Sequence, residues 1–300
     1  MSNPLTLLQA ILHSKRQSGA VSIPKRLRSP MRRAKPWAVV ESRFFAYFVL
    51  GLILWCAGGH SAMRVQGAFA QTPPRDLENI VEQIDAAANR QDIEAVMDFY
   101  SASFISSDGL TRDNLEAALV KLWQRYPSLN YRTEIESWER VGNGYVAETV
   151  TEITGVRELP QRELSLLATV RSRQRYENQK VLQQDILDES SRITSGENPP
   201  TLKINLPEEV RIGQRYNFDA IVQEPLGEDL LLGYAVEEPI GVDGYLTPSE
   251  VELEPLSAGG IFKVGEAPFI PDNRWVSAIV VRKDGLTMVT ERLRVVEANP

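Results

Sequence analysis

Both histidines and the single cysteine of this 300-residue chain, His13, His60 and Cys56, fall within its first 60 residues. From Gln71 to Pro300 there is no thiol and no imidazole. Neither a disulfide nor a Cys/His zinc site can hold that stretch together, so its fold must come from burial of apolar side chains. At about 230 residues it is long enough for one or two cores. The same absence excludes thiol, imidazole and zinc chemistry, and leaves acid–base work to Asp, Glu, Tyr or Lys.

The first 70 residues read as a leader. A basic region precedes an uncharged apolar run, Phe44 to Gly59, and Ala68-Phe69-Ala70 then offers small residues on either side of a larger one. That order, charged, apolar, small-x-small, is that of a secretory signal with cleavage at Ala70. A basic region that begins at Met1 is too long for such a signal. A start at Met31 leaves MRRAKPWAVVESR directly before the apolar run, and is the expected true start. The competing reading is an uncleaved anchor over residues 44–63, about the 20 residues a span needs. Either way the C-terminal part is expected outside the cytoplasm, in the periplasm or another extracytoplasmic lumen. Lipidation at Cys56 is disfavoured by the bulky Trp55 before it.

Charge divides at the same place. Residues 1–70 carry ten Lys or Arg and one acid, Glu41; the remainder carries 23 bases and 39 acids, a balance of −16. So acidic a chain is repelled by nucleic acid phosphates and anionic lipid, which leaves the leader as the route to a membrane. The sequence contains no Gly-rich phosphate loop. No cofactor is expected, and Asp185, Asp188 and Glu189 lack the spacing of a calcium loop.

Periodicity changes along the acidic part. Leu77, Ile80, Val81, Ile84 and Ala87 recur at helical spacing. A second helix is expected after Asp92 as N-cap, and a third after Thr111, carrying Leu115, Leu119, Leu122 and Trp123. From Leu129 the period is two: strands are expected over 129–141, 145–153, 163–176 and 181–187, the first pair joined by Gly142-Asn143-Gly144. Three helices followed by a meander of long strands suggest a curved antiparallel sheet wrapped around helices as a cone.

That order, together with Asn89-Arg-Gln-Asp-Ile-Glu-Ala-Val-Met-Asp-Phe-Tyr100, Phe104 and Asp108-Gly109, resembles the nuclear transport factor 2-like superfamily over about residues 75–190. The resemblance implies a cone with an interior pocket. It extends to ketosteroid isomerase, scytalone dehydratase, polyketide cyclases and many non-enzymatic binding or assembly domains, whose members often dimerise through the sheet.

A boundary is expected near Ser195-Gly-Glu-Asn-Pro-Pro200. Beyond it, strand signals over 202–206, 216–222, 230–236, 251–256, 260–264, 275–281 and 287–296 alternate with Gly/Pro turns, which suggests an immunoglobulin-like β-sandwich. The expected organisation is thus a leader (1–70), an α+β domain (75–194) with three N-terminal helices on a curved antiparallel sheet, and an all-β sandwich (201–298).

Candidate site residues follow from alternation. Asp108 is a candidate base, although Asp-Gly is more often a surface turn. Glu148 and Glu152 share one face of their strand and could line a pocket. The competing reading pairs them with Arg171, Arg173 and Arg175, which alternate along the next expected strand, together with Asp185 and Glu189. Tyr100, Phe104, Trp123 and Tyr131 gather at the helix–sheet junction as core or as the wall of a small-ligand pocket. Trp138 falls on an otherwise wet face and is the candidate contact of a sheet-mediated homodimer. The expected function is an exported, non-catalytic binding or assembly module whose partner is a protein or a small apolar ligand, with the sandwich as a docking arm. Two alternatives are a carboxylate- and tyrosine-based isomerase, dehydratase or cyclase, and a membrane-tethered envelope protein.

Overall fold

A computed structural model of the chain describes residues 72–160, 162–227, 229–246 and 251–297. The leader features at Met31, Cys56, residues 44–63 and Ala70 lie outside the described residues. Among the described residues, no helix is long and apolar enough to cross a membrane.

Helix α1 (Arg75–Asn89) buries Leu77, Ile80, Val81 and Ala87, the stripe set by the sequence. It ends where Gln91 takes a positive φ of 53°. The short α2 (Ile93–Asp98) starts at once, with Asp92 Oδ1 accepting from the Ala95 amide at 3.1 Å. The expected helical region is then interrupted by strand β1 (Tyr100–Ser106). Helix α3 (Arg112–Arg125) is capped by Thr111. The meander follows as β2 (Ser128–Val141), β3 (Gly144–Leu159), β4 (Arg162–Glu177) and β5 (Lys180–Gly196).

After the Gly/Pro segment come β6 (Leu202–Asn205), β7 (Glu209–Arg211), β8 (Arg215–Val222), β9 (Leu232–Pro239), helix α4 (Val242–Leu246), β10 (Glu254–Pro255), β11 (Gly260–Glu266), β12 (Asp272–Arg282) and β13 (Gly285–Val296). Strands from both halves of the chain enter one ten-stranded sheet in the order β10-β9-β12-β13-β5-β4-β3-β2, with β1 beside β5 and β7 beside β13. A second sheet has the order β11-β8-β6.

This corrects the expected fold class. The protein is mostly sheet, with four short helices among the described residues, rather than three helices on a cone followed by a self-contained sandwich. The physical reason lies in β5. It was expected to stop at residue 187, but it runs to Gly196, and Ser190 to Gly196 pair with Glu291 to Gly285 of β13. The hydroxyl-rich stretch Ser190-Ser-Arg-Ile-Thr-Ser195, just before the expected boundary, is strand and joins the halves. The β12–β13 hairpin then serves two cores. Ile279, Leu286 and Met288 belong to the core beneath α1–α3, whereas Val276, Ala278, Val280 and Val289 pack with Phe218, Ala220 and Ile261 of the small sheet.

Three register shifts interrupt the meander, one on β2 and two on β5; the second on β5 leaves Leu182 extra between Val181 and Gln183, and the other two reset the alternation near the cavities. On β2, Ile135 pairs with Thr149 and Ser137 with Glu148, so Glu136 is the extra residue. On β5, Asp188 pairs with Arg171 and Ile186 with Ser172, so Leu187 is the extra residue. Past each bulge the side chains exchange faces.

Candidate functional site

One face of the large sheet, together with β1, α3 and α4, lines a partly open cavity of about 210 Å³. Helix α3 contributes Leu115, Leu119 and Leu122, and the sheet contributes Ile153, Leu166 and Val170. The polar groups, Asp108, Glu189, Ser191 and Tyr245 among them, come from the turn after β1, from β5 and from α4. A second cavity of about 170 Å³ shares Leu115, Leu119, Ile153, Val170 and Gln184 with the first, and is lined also by Asp85, Tyr100 and Tyr131.

Asp108 forms the expected Asp-Gly turn: Gly109 has φ +80° and its amide donates to the Ser106 carbonyl at 3.0 Å. The turn is not at the surface, since Asp108 is 8% exposed. Arg292 on β13 clamps it, Nη1 donating to Oδ1 at 2.9 Å and Nη2 to Oδ2 at 2.8 Å. The Tyr245 hydroxyl donates to Oδ2 at 2.7 Å. Arg292 Nη2 also donates to Glu189 Oε2 at 3.0 Å, and so does Trp275 Nε1 at 3.0 Å. The Tyr245 and Trp275 rings meet edge to face, centroids 4.9 Å apart. Gly244 permits that contact, because a Cβ there would stand 2.7 Å from the Trp275 ring.

The electrostatics follow from this clamp. Burial opposes charge on Arg292, but the Asp108 hydrogen bonds and the nearby Glu189 carboxylate outweigh it and hold the guanidinium's pKa above its ordinary value. Burial, then the Glu189 and Asp108 charges, push the Tyr245 phenol well above its ordinary pKa. Tyr245 is therefore a neutral donor, and Asp108 is an acceptor with both oxygens engaged. On the opposite face of β13, burial and then Asp188 push the Glu291 carboxyl up to about 7.

The other candidates separate. Tyr100 and Tyr131 line the second cavity and Phe104 the first. Trp123 is core, its Nε1 donating to the Tyr131 hydroxyl at 2.9 Å. Burial pushes the Tyr100 and Tyr131 phenols up to about 12. Glu148 faces away from both cavities and takes Arg171 at 3.1 Å and Arg173 at 2.6 Å, the charge-pair alternative. Glu152 is exposed and lies opposite Arg132 and Thr169. The β2 bulge turns Trp138 to the core side, where it pairs with Ala147 and meets the Tyr145 ring edge to face at 6.0 Å. Among the described residues, no group of three acidic side chains is placed to hold a metal ion.

Alternation of the sequence missed Glu189, Arg292, Tyr245 and Asp85. It grouped Glu189 with Asp185, but the bulge at Leu187 sends them to opposite faces. Arg292 stands 184 residues from Asp108, and no local signal ties the two. Asp85 sits on the polar flank of the α1 stripe and accepts from the Thr133 amide at 2.6 Å and hydroxyl at 2.7 Å. Burial raises its carboxyl's pKa, and these two bonds oppose the rise.

A family model described as a domain of unknown function, DUF8623, matches residues 197–296. No curated protein matches the sequence. Solved structures similar to the chain include Bd1075 of Bdellovibrio bacteriovorus, 16% identical over 37% of this chain and 38% of that one, with a TM-score of 0.28. An uncharacterized cystatin fold protein of Novosphingobium aromaticivorans is 17% identical over 38% of this chain and 98% of its own, with a TM-score of 0.27. A protein with a ketosteroid isomerase-like fold from Catenulispora acidiphila is 15% identical over 38% and 85%, with a TM-score of 0.26. This chain thus spans well under half of the Bdellovibrio protein's chain. Over about 37% of the chain the likeness is to cystatin-like and ketosteroid isomerase-like folds.

Proposed function

We propose that this protein is an exported binding module that holds a small apolar molecule in the cavity beneath α3. The observation that carries this reading is a preformed cavity of about 210 Å³ whose wall is mostly apolar side chains, with Asp108, Glu189, Ser191 and Tyr245 among its fewer polar groups. Ligand pockets have this composition, apolar with a small number of placed polar groups. A cavity of about 150 Å³ already accepts benzene, so roughly eight to ten heavy atoms fit here. Export is supported by the order of the leader, and N-terminal sequencing of the protein from the native envelope should begin at Gln71.

Apart from Glu189, the acids at the cavities and the acids that the sequence singled out are committed to other partners, which favours binding over proton transfer. A general base needs a free lone pair toward substrate. Both oxygens of Asp108 are taken by Arg292 and Tyr245, both oxygens of Asp85 by Thr133, and Glu148 and Glu152 are on the far face. Saturation-transfer NMR with benzene and 1-hexanol tests the reading on the full-length chain. Both probes should bind, and Leu119→Trp, which fills the cavity, should abolish binding while the thermal transition persists. Equal binding in wild type and variant would place the probes elsewhere and end this reading.

A further inference from the structure

We propose that the cavity selects an apolar molecule carrying a protonated amine, with Glu189 as the anchor; this rests on the binding reading above. The polar lining of the cavity has unequal charge. Asp108 and Glu189 both line it, and both are hydrogen-bonded to a single guanidinium, that of Arg292. Two carboxylates on one cation leave one negative charge over, at a place where Arg292 is buried and Glu189 is 18% exposed. A buried charge without a partner is costly, so a cation that reaches it is stabilised.

The donors and acceptors point the same way. Glu189 Oε2 receives both the Trp275 and the Arg292 protons, whereas Oε1 receives none among the described residues. The Tyr245 proton is committed to Asp108. Ser191, 8% exposed, lines the same cavity two residues along β5, and its buried Oγ has no partner among the described residues. Arg292 Nε also lacks a partner there, but Arg292 does not line the cavity. A ligand ammonium would thus meet a free carboxylate oxygen and a free hydroxyl oxygen, with Leu115, Leu119 and Leu122 left for its apolar body. A ligand carboxylate would meet the surplus negative charge.

The test is titration calorimetry of the full-length chain at neutral pH with hexylamine, 1-hexanol and hexanoate. Hexylamine is expected to bind about tenfold tighter than 1-hexanol, the worth of one charge-assisted hydrogen bond, with hexanoate weaker than both. Glu189→Gln should bring hexylamine to within about threefold of 1-hexanol. If wild type binds 1-hexanol as tightly as hexylamine, or prefers hexanoate, the amine assignment is overturned and the cavity reading stands. If none of the three binds, the cavity reading falls and takes this one with it. Hexylamine that still binds Leu119→Trp would be on the surface, which also overturns the assignment. The wild-type selectivity decides the matter even if Glu189→Gln does not fold.

Discussion

At the scale of single residues, the clamp on Asp108 concentrates the consequences. Arg292 offsets the buried Asp108 carboxylate and also bonds the partly exposed Glu189, so removing it leaves charge stranded rather than merely deleting a contact. Arg292→Leu should lower stability by about 3–5 kcal/mol, as breaking a buried ion pair does, seen as a fall in the urea midpoint. Glu291 gives the pH signature. Its carboxyl is about 7 in the folded protein, chiefly through burial and then through Asp188, against an ordinary value of 4.5. The folded state therefore holds this proton more tightly than the unfolded chain. The stabilisation is complete below the unfolded value and is lost as pH rises through about 7. Thermal midpoints should fall between pH 5 and pH 8, and Glu291→Gln should flatten that fall. Little of this was legible in the sequence. Asp108-Gly109 correctly marked a turn, but whether a turn faces water or a guanidinium depends on a partner 184 residues on.

At the scale of elements, the bulges and helix α1 do the positioning. Alternation read from Leu129 to Ile135 holds, and fails beyond Glu136, because one extra residue moves every later side chain to the other face. Trp138 is therefore core, so Trp138→Glu should destabilise the fold whether or not the protein dimerises. Deleting Glu136 should remove the bulge yet leave Ser137 opposite Glu148 and Trp138 opposite Ala147, so Trp138 emission should stay where it is in the wild type; a red shift would contradict this pairing. Helix α1 meets the free edge of β2, a strand at one end of the ten-stranded sheet. Asp85 takes the Thr133 amide and Asn89 takes the Tyr131 amide at 2.6 Å, returning its own amide to the Tyr131 carbonyl at 3.0 Å. Exposed edges template aggregation. Asp85→Ala with Asn89→Ala should cost about 1–3 kcal/mol per stranded group and shift the protein toward larger species in sedimentation. The helical stripe and the caps at Asp92 and Thr111 could be read because they are local. The bulges could not, since nothing in Glu136 or Leu187 forbids regular pairing.

At the scale of the molecule, the seam between β5 and β13 governs cooperativity. The hairpin β12–β13 is shared by both cores, so neither can lose it and persist. Full-length protein should unfold in one transition by calorimetry, and a chain ended after Gly196 should not give a cooperative transition. Two well-separated transitions would contradict this. The strands and turns after residue 200 were largely visible as a periodic pattern. What the pattern could not carry is which strand pairs with which, because pairing partners are fixed by distant burial and not by local propensity.

The order of β13 in the sheet sets a sequence of events during synthesis. Among the described residues it is the last strand in chain order, yet it occupies a central place between β12 and β5. Until Gly285 to Val296 leave the ribosome, β5 presents the backbone of Ser190 to Gly196 unpaired, and Asp108 and Glu189 have no countercharge. The large sheet therefore stays open at β5 until these residues arrive, so folding of the described part is expected to complete late in synthesis.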